Sequence, residues 1–155
     1  LGAVAVLEAL TTLAAGNAHA EPQDEAMATH AGRFAKIDGL IDWSRPAQIL
    51  ERQVRAFNPW PVAYTSVPAA RQRGDDAGQR LRIWSARVVE RGDGMTPGTV
   101  LASGAWGIDV AAGRDALRIL TLQAPGKRAM NSGDYLNAHA LTAGTVLEGG
   151  GSARS

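Results

Sequence analysis

Side chains able to do chemistry are sparse in this chain, and few stand at working distance from one another. The histidines are His19, His30 and His139, none with a carboxylate or a second histidine at ligand spacing, so no metal site is expected. There are seven serines but no Gly-x-Ser-x-Gly elbow and no partnered histidine. Gly104-Ala105-Trp106-Gly107 is not followed by the Lys-Ser/Thr of a phosphate loop, nor by a helix start. Asp75-Asp76 reads as a solvated turn. The absence of cysteine excludes disulfides and thiolate metal sites, and fits a reducing compartment. No residue here is expected to be catalytic, to hold a cofactor or to bind a metal.

What remains is a set of cations. Gly126-Lys127-Arg128 lies between a Leu-rich segment and a late helix, where two adjacent cations on a glycine-started turn can reach a phosphate backbone together. Arg33 and Lys36 form a second candidate pair, three apart on a possible helix face, and Arg52 and Arg55 have the same spacing. Trp43, Trp60 and Trp84 could stack on bases, but in so small a domain they read first as core. The charge distribution agrees with the cations. Net charge is +1 over 155 residues, but residues 1–42 carry −4 and residues 43–155 carry +5, nearly all of the latter basic charge being arginine.

These cations need elements to position them. Apolar content of 45% and charged content of 20% are ordinary for a globular protein of one domain, or one domain plus part of another. Residues 1–15 read as a helix stopped by Gly16-Asn17. Ala18-His19-Ala20 looks like a signal-peptidase site, but the lack of a basic n-region and the presence of Glu8 argue against a secretory signal. No apolar run approaches a membrane span. Residues 17–30, with Pro22, read as a linker, and a short helix or extended segment follows around Phe34 and Ile37.

A second helix is expected from Ser44, its cap, with Pro46 in the first turn and Leu50, Val54 and Phe57 on one apolar face. Glu51 and Arg55 can pair on its exposed side. Asn58-Pro59-Trp60-Pro61 ends it at a rigid corner. Short strands follow at 62–67, 80–89, 99–102, 106–111 and 116–122, with a polar turn at 70–79. In the second strand Leu81 and Ile83 should face one way, and Trp84, Ala86 and Val88 the other. A helix over 132–141, an edge strand at 145–147 and a disordered tail at 149–155 complete the pattern. The sum is mainly β with helices, a small β-barrel or sandwich.

Several of these segments in order resemble the C-terminal half of methionyl-tRNA formyltransferases. They are Pro22-Gln23-Asp24-Glu25, Ala28-Thr29-His30-Ala31, Ile41-Asp42-Trp43, Arg55-Ala56-Phe57-Asn58-Pro59-Trp60-Pro61, Ile83-Trp84, Pro97-Gly98-Thr99-Val100, 122–130 and Asp134-Tyr135-Leu136-Asn137. Tyrosine is commoner in the family at the position of His30, and residues 70–79 look longer than the family's usual turn. The resemblance implies an OB-like barrel over 37–148. It implies a linker at 17–36, a terminal helix at 1–16 left from a Rossmann-like catalytic domain, and a tail at 149–155.

It further implies formyl transfer from 10-formyltetrahydrofolate to the amino group of initiator methionyl-tRNA, in the cytoplasm, by a monomer. The catalytic Asn, His and Asp lie in the missing N-terminal domain, so this part alone should be inactive. Arg33, Lys36, Lys127 and Arg128 are the positions assigned to tRNA binding. The alternatives are the C-terminal domain of a sugar-nucleotide formyltransferase and a stand-alone RNA-binding barrel.

Overall fold

The computed structural model describes residues 2–68 and 78–150. The expected turn at 70–79 therefore lies outside the described residues, apart from Gly78 and Gln79, as does the tail beyond Gly150. The chain divides into two compact units, Leu1–Arg33 and Phe34–Ser155.

In the first unit, helix α1 spans Gly2–Ala14. It stops as expected: Gly16 adopts φ +72°, its N–H donates to Leu13 O, and Asn17 N–H reaches back to Thr12 O. That paired capping suits glycine, which enters the left-handed region without a Cβ penalty. A 3-10 helix, Glu25–Met27, is capped by the Asp24 carboxylate, which accepts from Ala26 N–H.

The second unit opens with a 3-10 helix, Lys36–Gly39, followed by α2, Ala47–Ala56. Leu50 and Val54 of α2 are buried, Phe57 is half-buried, and Glu51 pairs with Arg55 at 3.4 Å. Ser44 does not cap the helix. The Asp42 carboxylate takes both its N–H and its hydroxyl, so the cap position falls to Pro46, and Ala47 N–H donates to Arg114 O.

Among the described residues six strands follow: β1 Ala63–Val67, β2 Gln79–Val89, β3 Val100–Gly104, β4 Gly107–Ala111, β5 Ala116–Gln123 and β6 Met130–Asn131. They form one antiparallel sheet in the order β1-β2-β5-β4-β3, with β6 on β5. Residues 145–148 are not an edge strand. They bridge Thr99, before β3, and Ser66, in β1, and so join the two ends of the sheet into a barrel. Gly98 permits this, since a Cβ there would stand 2.7 Å from Leu147 O. Barrel closure satisfies edge N–H and C=O groups that would otherwise remain unpaired.

The core comprises Trp43, Leu50, Val54, Leu81, Ile83, Val100, Ile108, Val110, Leu117, Ile119 and Leu122 with their neighbours. Ala86 and Val88 pack on the same cluster as Leu81 and Ile83, against the strict alternation read from sequence. The β2–β5 register slips between Ile83 and Ser85 and back between Ser85 and Ala86. Trp84 on β2 and Leu120 on β5 are the extra residues, and each resets the pleat so that both halves of its strand face inward.

The tryptophans also divide. Trp43 is 3% exposed and donates to Thr65 Oγ1, whereas Trp60 is 55% exposed and does not belong to the core. At the proline corner the apolar contact comes from Phe57, which meets Phe34 edge-on with ring centroids 5.0 Å apart. Helix α3 is shorter than expected, Ser132–Leu136. Leu141 leaves the helical path to reach the core, and its carbonyl accepts from Ser103 Oγ.

Candidate nucleic-acid interface

The turn after β5 is closed by Lys127 N–H donating to Ala124 O. Gly126 takes φ +69°, which leaves Lys127 and Arg128 exposed at the tip. The turn is also tied to the sheet. Gln123 Nε2 donates to Lys127 O at 2.7 Å, and Gln123 Oε1 accepts from Trp84 Nε1 at 3.1 Å. One amide thus links β2, β5 and the basic turn.

Sequence reasoning missed two neighbouring cations. Arg82 pairs with Tyr64 on β1 and with Gln123 on β5, which places Tyr64, Arg82 and Gln123 abreast on one face. Arg80, two residues earlier and on the same face, lays its guanidinium over the Tyr64 ring, 4.4 Å from its centroid. Both arginines are exposed. The signal was present in Arg80-Leu81-Arg82-Ile83: if Leu81 and Ile83 face the core, the arginines must face out. Arg80, Arg82, Gln123, Ala124, Pro125 and Gly126 line a groove of about 370 Å³.

Lys36 is exposed at the start of the 3-10 helix whose last residue, Gly39, sits against Tyr64. A Cβ on Gly39 would stand 3.2 Å from Tyr64 Cδ1 and collide with Val62 O. Arg33 lies in no helix and closes the first unit, so the expected helix face shared by Arg33 and Lys36 does not form.

Among the described residues the ion pairs are Arg55–Glu51, Arg91–Asp109 and Arg118–Asp109; none uses Lys36, Arg80, Arg82, Lys127 or Arg128. Asp109 is fully buried on β4, where Arg118 grips it through Nε at 2.6 Å and Nη2 at 2.9 Å. That hydrogen bonding raises the Arg118 pKa above its ordinary value. Arg118 also stacks on Trp106, 4.2 Å from the ring centroid. Asp115 accepts from Gln48 Nε2 and from the backbone N–H groups of Arg91 and Gly92, and these bonds, Gln48 first, hold its carboxyl below the usual value.

Both acids are consumed by structural pairing. Among the described residues no cluster of His, Cys, Asp and Glu could hold a metal, and no helix is long and apolar enough to cross a membrane. A wider depression of about 570 Å³ beside α3, lined by Ser103, Asn131, Asp134 and Asn137 among others, presents no cation. What the arrangement can do is bind anions along one face of the barrel.

Comparison with known proteins places this geometry in a family. Residues 33–140 match the model of the formyl transferase C-terminal domain. The chain is 48% identical over 148 residues to the methionyl-tRNA formyltransferase of Nitrosococcus oceani, covering 95% of this chain and 43% of that protein. It is 46% identical over 141 residues to the methionyl-tRNA formyltransferase of Methylococcus capsulatus, covering 91% of this chain and 42% of that protein. The chain thus spans less than half the length of these curated relatives.

Among solved structures, a variant of HypX from Aquifex aeolicus superimposes with a TM-score of 0.62 at 22% identity, over 86% of this chain and 23% of that one. HypX in complex with tetrahydrofolic acid gives 0.60 at 20% identity, over 90% and 26%. At such identity the likeness concerns the fold. The matched model covers most of the barrel and the relatives nearly the whole chain, so the chain belongs to the formyl transferase C-terminal domain family.

Proposed function

We propose that this chain is the tRNA-holding part of a methionyl-tRNA formyltransferase, an enzyme that moves a formyl group from 10-formyltetrahydrofolate to the amino group of initiator methionyl-tRNA. The carrying observation is the Lys127–Arg128 pair, which makes no ion pair among the described residues, on a turn fixed to the barrel through Gln123. Lys36 and Arg33 complete the proposed tRNA contacts. The relatives' names support tRNA over a sugar nucleotide as partner.

In this reading 1–16 is the last helix of the catalytic domain, 17–36 the linker, 37–148 the barrel and 149–155 a tail. The whole enzyme works in the cytoplasm as a monomer, and the formyl chemistry belongs to the catalytic domain. The 155-residue chain by itself holds tRNA weakly and transfers no formyl group.

Titration of initiator tRNA with the chain across a salt series tests this. Neutralising both cations, Lys127→Gln with Arg128→Gln, lowers the slope of log K against log salt by about one to two units, since each lost phosphate contact removes about 0.7 to 0.9. An unchanged slope makes the turn a merely solvated surface. Formyl transfer to methionyl-tRNA by the purified chain would overturn the division of labour.

A further inference from the structure

We infer that Arg80 and Arg82 form the opposite wall of the phosphate-binding site begun by Lys127 and Arg128. In this site Gln123 is the positioning residue that sets the basic turn across from them. The groove between β2 and the turn then seats one stretch of RNA backbone. This rests on the tRNA-binding function proposed above, and adds three residues to it.

The strand register carries the argument. Arg82 and Gln123 are direct cross-strand partners, so their Cβ atoms stand about 5 Å apart on one face. Arg80 projects from the same face, roughly 6.6 Å further along β2, so the two guanidinium forks serve different phosphates. Stacking on Tyr64 restrains Arg80 while the edge of its guanidinium stays open to an acceptor. No carboxylate among the described residues occupies either arginine. On the far side of the groove, the Gln123 amide fixes the carbonyl of Lys127. Beyond Tyr64, the 3-10 helix brings Lys36 to the other end of the path, its four residues spanning only about 6 Å. The cations therefore run in a track: Lys36, then Arg80 and Arg82, then Lys127 and Arg128.

The experiment is the same initiator-tRNA salt titration of the 155-residue chain with further variants. Arg80→Gln with Arg82→Gln lowers the slope by about 1.4 to 1.8, the equivalent of two phosphate contacts. A charge-matched control, Arg52→Gln with Arg87→Gln, lines a separate groove between α2 and β2 and leaves the slope as it was. With its folded fraction corrected from a melting curve for the two hydrogen bonds it gives up, Gln123→Met keeps every cation. It nonetheless lowers the slope toward that of the Lys127/Arg128 variant, and the two changes combined lower it no further.

If Lys127/Arg128 neutralisation lowers the slope while Arg80/Arg82 neutralisation does not, this inference falls and tRNA binding by the turn stands. An equal drop in the Arg52/Arg87 control also overturns it, because the contacts are then diffuse. If the parent chain binds no tRNA, the proposed function falls with it.

Discussion

Two arginines of this sheet lie on aromatic rings, and they are put to different uses. Arg118 stacks on Trp106 at 4.2 Å and Arg80 on Tyr64 at 4.4 Å. The difference is the third partner. Behind Arg118 stands Asp109, fully buried and shared with Arg91; it takes Nε and Nη2 of Arg118, whose side chain is only 15% exposed. Arg80 has no such carboxylate among the described residues. A stacked guanidinium with a buried counter-ion is a closed structural unit. A stacked guanidinium without one is an oriented cation with donors to spare, which is what a phosphate requires.

The sharpest way to break this contrast is to remove the counter-ion. Asp109→Ala leaves Arg118 unpaired and mostly buried, and the expected cost is about 3 kcal/mol. Urea unfolding would show it as a lower midpoint at unchanged m-value. The slope of tRNA binding against salt should not move, since Arg118 does not face the groove. A loss well below 1 kcal/mol, or a changed slope, would erase the distinction between the two arginines.

A weaker effect is expected at Asp115, which shares a neighbour with that network. Arg91 gives its backbone N–H to Asp115 and its side chain to Asp109. Because hydrogen bonds depress the folded pKa of Asp115, its contribution is fully present above the unfolded value, near 4, and is lost as pH falls through the folded value. Stability of the parent should therefore decline as pH is lowered from about 5 to 3, and Asp115→Asn should flatten that decline. Asparagine is the suitable replacement because residue 115 holds φ +63°, a left-handed conformation Asn tolerates. Equal acid sensitivity of both proteins would mean that other carboxylates set the decline.

The paired arginine was nearly legible in the sequence, whereas for Arg80 and Arg82 only the outward direction of their side chains was. A lone aspartate inside Gly107-Ile108-Asp109-Val110-Ala111 marks a buried charge, and Arg118 follows it by nine residues on the next strand. Strand positions and the barrel could be read because apolar alternation and glycine turns are local signals. The bulges at Trp84 and Leu120 are not local: they exist only in the pairing of β2 with β5, and they turned Ala86 and Val88 inward. Closure by residues 145–148 depends equally on two distant partners. Lys127 and Arg128 stood out as adjacent cations on a turn. Arg80 and Arg82 gain their meaning only from Tyr64 and Gln123, residues brought alongside by register. Trp60 shows the opposite failure, since proline neighbours fix a corner without stating which way its ring points.

The smallest expected effect is at the ring beneath Arg80, and it decides whether the stack matters at all. Tyr64→Phe keeps the aromatic face and should bind tRNA as the parent does. Tyr64→Leu removes the face but no charge, so the salt slope should stay while affinity falls about two- to fivefold, the equivalent of about 0.5 to 1 kcal/mol for a cation–π contact of this kind. Loss of stability alone lowers the active fraction, which a melting curve of each variant corrects for. If Tyr64→Leu and Tyr64→Phe bind alike after that correction, Arg80 needs no orienting. The contrast with Arg118 would then reduce to the presence or absence of a carboxylate. If the slope falls as well, the ring holds Arg80 on its phosphate, and the stack is part of the binding site rather than its support.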